Sequence, residues 1–578
     1  MTGNGNRIEA LKRRIQVARR EIPADLVLRK GKVVNVFSGM TQECDVAIYD
    51  GFIAGLGPDY HGREEINLKG RWITPGLIDG HIHIESSMLL PSRLAAALLP
   101  HGTTTIISDP HEIANVMGIA GIRLMIQDSL SIPFDIFFMA PSCVPATHLE
   151  TSGAQLLAPD LSDLKKEPRI LGLAEVMNFP GVLSGLPEVL EKILLFDEKL
   201  IDGHSPSLMG YDLQAYVSTG IRSDHETSEA KEGMEKVNSG MMLMVREGTS
   251  AKNLEELVPL VTPVNSRRFC FVSDDLHPQD ILQRGHLDHT VRKAIGLGLD
   301  PTLAVQMVTI NPAEYFGLKQ RGAVAPGFHA DLVVLEDLEG FAVEKVYKNG
   351  RLVAEAGRLT GFTRGEGTPF ETKPLNILPL IPERFQVRYQ GRKARVIELI
   401  QGQILTKTGY AKLKSENGLV LSDIESDILK LAVVERHHAT GRVGLGFVRG
   451  FGLKKGALAS SIAHDSHNVI AVGTNDEDLN RAVEEVRILG GGIAVVCHGD
   501  VLASVPLEVA GLMSREPLEK LVKQLEEAGR ASSALGCMIH EPFMALSFLA
   551  LPVIPELKLT DMGLVDVNKF SIVPLFLE

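Results

Sequence analysis

His81 and His83 stand two residues apart in the run PGLIDGHIHIE. Side chains alternate across an extended strand, so both imidazoles point to one face, where two nitrogens can share a divalent ion. Zinc, iron and manganese all accept imidazole. Alone, H-x-H is only moderately specific, since two packed histidines satisfy it equally well. Acidic and imidazole groups then recur after other short apolar runs: Glu175 after LGLA, His204 after LIDG, His225 after IRSD, and Asp274 with Asp275 after FCFVS. Each is unremarkable singly, because a buried glutamate usually pairs with arginine and a loop histidine usually faces solvent. Together, at the ends of successive strands, they form the set a metal site requires.

Such a set needs a scaffold that aims several strand ends at one point. Eight short apolar runs are expected as strands: 73–84, 103–108, 134–140, 170–176, 200–203, 220–223, 241–245 and 269–272. Between them, PEVLEKILLFDEK and NLEELVPLV carry apolar residues at three- and four-residue spacing, the period of a helix packed on one side. Strands alternating with helices predict a (β/α)8 barrel of the TIM type, whose active sites lie at the C-terminal strand ends. Residues 24–72 and 321–362 share a texture of apolar strands and glycine turns, including an Asn349-Gly350 hairpin signal. They are expected to form one small flanking β-domain around the barrel of residues 73–320. The segment TRGEGTPFETKP reads as a linker. Residues 375–578 are expected to fold as a further α/β or α+β domain, with RVIELI and ALASSIA as strands and DEDLNRAVEEVRIL as a helix. Residues 1–23 read as a surface helix.

The chain has 578 residues, enough for two or three domains. A net charge of −13 disfavours capture of nucleic acid. None of the five cysteines forms a C-x-x-C pair, so neither a disulfide framework nor a cysteine zinc knuckle is signalled. The most apolar stretch, Phe543 to Ile554, is too short for a membrane span. A cytoplasmic protein is expected, without nucleic acid or membrane partners.

The run ITPGLIDGHIHIESS, the order of ligand candidates along the strands and the flanking β-domain resemble the amidohydrolase superfamily. Within it, HIHIESS, SDPHEIAN, AEVMNFPGV, SDDLHP and the later HDSHN are similar to the adenine deaminase family. The resemblance implies hydrolysis of adenine to hypoxanthine and ammonia. It implies two divalent ions, manganese or iron with zinc also compatible, and a homodimer. Carried onto this sequence, His81, His83 and Asp274 would bind one ion, His204 and His225 the other, and Glu175 would bridge them. Many superfamily members use a carbamylated lysine where this chain has Glu175; either group offers two anionic oxygens. The departure weakens a dihydropyrimidinase-like reading.

The chemistry itself demands a base and an acid, because attack on the ring carbon loads electrons onto a ring nitrogen and the amino group must leave as ammonia. Asp274 is the expected proton acceptor. His111 and Glu112 are expected to supply protons, and Glu85, Asp109 and Asp275 to contact the base. A helix start offers an alternative for Asp109, as N-cap before Pro110. In HDSHN, His464, Asp465 and His467 crowd together and could cover the barrel mouth; a polar packing loop is the plainer account. The run Glu435-Arg436-His437-His438 adds titratable groups to the same region. Two rival functions remain at this point: the same metal pair acting on a cyclic amide or another aminated heterocycle, and a catalytically silent scaffold. The base-editing deaminase signature is absent, since His83-Ile84-Glu85 has no P-C-x-x-C to complete it.

Overall fold

The computed structural model describes residues 2–249, 251–361 and 375–577; the expected linker 363–374 lies outside them. Eight parallel strands surround one axis: β1 (Leu77–Ile82), β2 (Thr103–Ser108), β3 (Asp135–Ala140), β4 (Ile170–Val176), β5 (Leu200–Gly203), β6 (Ser223–Asp224), β7 (Met242–Arg246) and β8 (Phe269–Val272). β1 to β5 pair in sequence order, as do β6 to β8. The ring closes where Asp274 N donates to His81 O at 2.9 Å and Arg222 N to Ile201 O at 3.0 Å. Helices such as Pro187–Leu195 and Gly210–Ser218 connect the strands. Inward residues including Ile78, Ile107, Met139, Met244 and Val272 fill the interior, as a barrel of this width requires.

Three expectations shift. The run 73–84 divides at Gly76: Trp72–Pro75 pairs antiparallel with Leu332–Leu335 in the flanking sheet, and only Leu77–Ile82 enters the barrel. A side chain at residue 76 would place Cβ 2.3 Å from Thr104 Oγ1, so glycine permits the close crossing. The sixth strand begins at Ser223, later than expected, because Thr219 and Gly220 close the preceding helix. NLEELVPLV forms only the turn Leu254–Leu257 followed by a 3-10 turn, since Pro259 cannot continue helical hydrogen bonding.

The flanking sheet has nine strands drawn from both sides of the barrel segment. Beyond the barrel, residues 393–506 supply an eight-stranded sheet in the order Thr406–Lys412, Lys393–Leu399, Val443–Arg449, Ile428–Val434, Val469–Gly473, Ala457–Ser460, Gly492–Cys497 and Asp500–Pro506. Alternation along Ile428–Val434 separates its two faces. Ala432 and Val434 pack on Leu479, Val483 and Val486 of helix Asp476–Ile488, which Asn475 caps by accepting from Asp478 N at 2.7 Å. Leu431 and Val433 instead join a core shared with Leu89, Leu94 and Ile113 of the barrel. This shared apolar core seats the second sheet on the barrel. Ser514 N donates to Met88 O at 2.8 Å across the junction, and Thr151 Oγ1 to Asp561 Oδ2 at 2.7 Å.

Candidate metal centre

The six ligand candidates, spread over 194 positions of sequence from His81 to Asp274, converge at the C-terminal ends of β1, β4, β5, β6 and β8. Glu175 stands at the centre. Its Oε1 lies 3.3 Å from His83 Nε2 and 3.9 Å from His81 Nε2, while Oε2 lies 2.7 Å from His204 Nδ1 and 3.1 Å from His225 Nε2. One carboxylate thus divides its oxygens between two imidazole pairs. Asp274 Oδ1 is 3.3 Å from both His81 Nε2 and His83 Nε2. Four overlapping groups, His83/Asp109/His111/Glu175, His81/His83/Asp274, His81/Glu175/His225 and His204/His225/Glu226, have donor atoms close enough to share an ion.

The surroundings prepare these donors. His83 Nδ1 lies 3.1 Å from Asp109 O; a carbonyl only accepts, so Nδ1 carries the proton and Nε2 keeps its lone pair. His81 Nε2 is buried without a hydrogen bond, which fits a nitrogen placed to bind a cation. Asp274 adopts φ 59°, a left-handed backbone costing about 1–3 kcal/mol, as residues held in strained functional geometry do. Burial pulls the His225 imidazole down, yet the carboxylates of Glu175, Asp274 and Glu226 outweigh it and raise it to about 9. Burial would likewise raise Glu175, but His225, His204 and His83 hold it well below the usual carboxylate range. The pocket therefore concentrates negative charge against neutralisable imidazoles, the electrostatics that divalent ions match.

Arg246 and Glu226 also belong here, and sequence reading passed over both. Arg246 Nη1 donates to Asp274 Oδ2 at 2.7 Å and Nη2 to Glu226 Oε2 at 2.8 Å. A charge closing the apolar strand MLMVR was the available signal for Arg246. Asp79 is a further tie: its carboxylate accepts from Ser273 Oγ at 2.6 Å and His81 N at 3.2 Å, and lies 2.9 Å from His286 Nε2.

The remaining candidates divide into two groups. Glu85, Glu112 and Asp275 line a pocket between the barrel mouth and the second sheet, with His464, Phe543 and Phe548 also lining it. Asp109 and His111 lie beside the ligand candidates instead, within reach of an ion shared with His83 and Glu175. Asp109 Oδ2 sits 3.2 Å from His111 Nδ1, and His111 is 3.9 Å from Glu175 Oε1. Asp109 does not cap the following helix: Pro110 occupies the N-cap position and no side chain bonds there. Burial lowers His111, but Asp109 outweighs it and holds the ring well above its usual value. Glu112 is pushed far upward by burial and by the charges of Glu85 and Asp275. Ser86 Oγ links the acids, 2.5 Å from Asp275 Oδ1 and 3.3 Å from Glu112 Oε1. Its single proton serves the nearer oxygen, leaving its lone pair to accept from a protonated Glu112. His464, Asp465 and His467 reach this place too: Asp465 Oδ1 is 4.0 Å from His111 Nε2, and His467 Nε2 is 3.4 Å from Glu112 Oε2.

A parallel-stranded barrel with imidazole and carboxylate donors at its mouth defines an amidohydrolase, and residues 72–353 match the amidohydrolase family. Residues 403–571 match the adenine deaminase C-terminal domain. The chain is 50% identical over 560 residues to an adenine deaminase of Dehalococcoides mccartyi, covering 97% of this chain and 98% of that protein. It is 50% identical over 564 residues to an adenine deaminase of Desulfatibacillum aliphaticivorans, covering 97% and 99%. With an adenine deaminase of Methanothrix thermoacetophila it shares 49% identity over 574 residues, covering 99% and 100%. The chain belongs to the adenine deaminase family. Its donors fit the divalent metal that amidohydrolases use. No helix among the described residues is long and apolar enough to cross a membrane.

Proposed function

We propose that this chain hydrolyses adenine to hypoxanthine and ammonia at a site for two divalent ions, manganese or iron with zinc also compatible. The observation that carries the two-ion reading is the division of Glu175 between two imidazole pairs. His81, His83 and Asp274 would hold one ion, His204 and His225 the other, and Glu175 would span both. Ions so held would acidify water towards neutrality.

The protein's own groups handle the protons. Arg246 occupies Oδ2 of Asp274, so Oδ1, the oxygen turned to the site, would both face the ion and accept the proton of the attacking water, returning it to the departing amino nitrogen. Glu112, kept protonated by burial beside Glu85 and Asp275, donates to a ring nitrogen. His111, steered by Asp109, is placed to donate beside the ligands. Glu85, whose Oε1 accepts from Ile113 N at 3.0 Å while Oε2 has no partner, has one oxygen to offer the base, and Asp275 lies next to it in the pocket. Phe543 and Phe548 give the planar ring an apolar wall.

Incubation of the manganese- or iron-loaded protein with adenine tests the reading. Equimolar hypoxanthine and ammonia, with about two ions per chain, is the expected result. No turnover of adenine by fully loaded protein would overturn it. The family resemblance also motivates a cytoplasmic homodimer, which light scattering of the purified protein would check.

A further inference from the structure

His467 belongs to the second sheet's side of the molecule, yet its ring reaches Glu112 of the barrel, 355 residues away in sequence. It is fully buried and adopts φ 55°, backbone that a side chain adopts only where its surroundings enforce it. Ala463 N donates to His467 Nδ1 at 3.2 Å. An amide N–H needs a lone pair, so in the neutral ring the proton sits on Nε2, the nitrogen 3.4 Å from Glu112 Oε2. Burial, and then the nearby His464 and Arg436, keep the ring neutral.

Glu112, His464 and His467 are close enough to share an ion. The Ala463 contact argues against that use: binding through Nε2 would move the proton to Nδ1 and set two N–H donors against each other. The trio reads as a polar chain: His467 Nε2 is buried without a hydrogen bond and has Glu112 Oε2 at 3.4 Å as the acceptor it would donate to. A small approach of the ring would complete that donation to Oε2, and Oε1 faces Ser86 at 3.3 Å. The two neighbours thereby assign the carboxyl proton to Oε1.

We propose that His467 is a positioning residue for Glu112, completing the proton donor of the barrel from the C-terminal region. This rests on the reading of Glu112 as the acid.

The test uses the metal-loaded, full-length enzyme. Asparagine at 467 tolerates the left-handed backbone and keeps an acceptor where Nδ1 stands, but offers no donor to Glu112. Glutamine carries an N–H at the position of Nε2. His467→Asn is expected to lower kcat by about 10- to 100-fold, as loss of a supporting hydrogen bond does, with KM and melting temperature little changed and two ions retained. His467→Gln is expected to recover part of the loss. In a Glu112→Gln background, His467→Asn is expected to cost less than about twofold more, because residues acting as one unit are not additive. Wild-type kcat in His467→Asn, full additivity, or loss of a third bound ion would each overturn the proposal. Wild-type activity in Glu112→Gln alone would instead overturn the assignment of Glu112. If His467→Asn fails to fold, His467→Gly, which adopts the same backbone and also lacks the donor, gives the same additivity comparison in the wild-type and Glu112→Gln backgrounds.

Discussion

Arg246 donates to Oδ2 of Asp274 at 2.7 Å, and the other carboxylate oxygen lies 3.3 Å from each imidazole of the β1 pair. The guanidinium thus decides which oxygen of Asp274 faces the metal site. Its planar fork also grips Glu226, a geometry that an ammonium cannot reproduce.

Replacing Arg246 should therefore affect turnover before it affects folding. Arg246→Leu is expected to lower kcat about 10- to 100-fold, the usual effect of removing a partner that orients a ligand. Arg246→Lys should recover only part of it. Steady-state kinetics with metal analysis on each variant checks this, and unchanged kcat in Arg246→Leu would remove the assigned role.

Glu175→Gln keeps shape but leaves only one oxygen able to accept a cation. Because Oε1 and Oε2 face different imidazole pairs, the variant should retain about one ion per chain in place of two and lose nearly all activity. Elemental analysis after gel filtration measures this; two tightly held ions in the variant would contradict a bridging role.

Asp79 ties β1 to the end of β8 through His81 N, Ser273 N and Ser273 Oγ, at one ligand candidate and at the residue before another. Asp79→Ala leaves these donors buried and His286 without its carboxylate neighbour, so a loss of about 3–5 kcal/mol is expected. A melting temperature equal to wild type would show that the tie contributes nothing.

Lys558 is fully buried, with Nζ donating to Ile404 O at 2.8 Å and Phe548 O at 2.9 Å. Burial depresses it from 10.5 to about 7. Below pH 7 both states are protonated, and folding bears the full cost of burying the ammonium. Between pH 7 and 10.5 the unfolded chain holds a proton that the folded one has released, so stability rises with pH by up to about 1.4 kcal/mol per unit. Above that window no cost remains. Lys558→Met should abolish this contribution: its melting temperature relative to wild type is expected to be higher at pH 7 than at pH 9.5. An equal difference at both values would show that Lys558 titrates normally.

Much of the barrel was legible because its strands are short apolar runs bounded by turns. β2, β4, β5 and β8 fall on the expected residues, where local composition and burial agree. The convergence of His81, His83, Glu175, His204, His225 and Asp274 was legible for a related reason: parallel strands of one ring all end at the same mouth, so chemistry at strand ends must meet. The break at Gly76 was not, since 73–84 is one apolar run and only pairing with Leu332–Leu335 assigns its first half to another sheet.

The sequence by itself determined the types and order of the ligand candidates and the family to which they point, because those depend on residue identity and strand periodicity. Tertiary structure decided which groups orient them. Arg246 meets Asp274 across neighbouring strands, and His467 meets Glu112 from a separate sheet; neither pairing has any local signature. The shared apolar core of Leu431, Val433, Leu89 and Ile113 holds the second sheet against the barrel mouth. Burial there removes water, and with it the competing partners that would otherwise satisfy these polar groups.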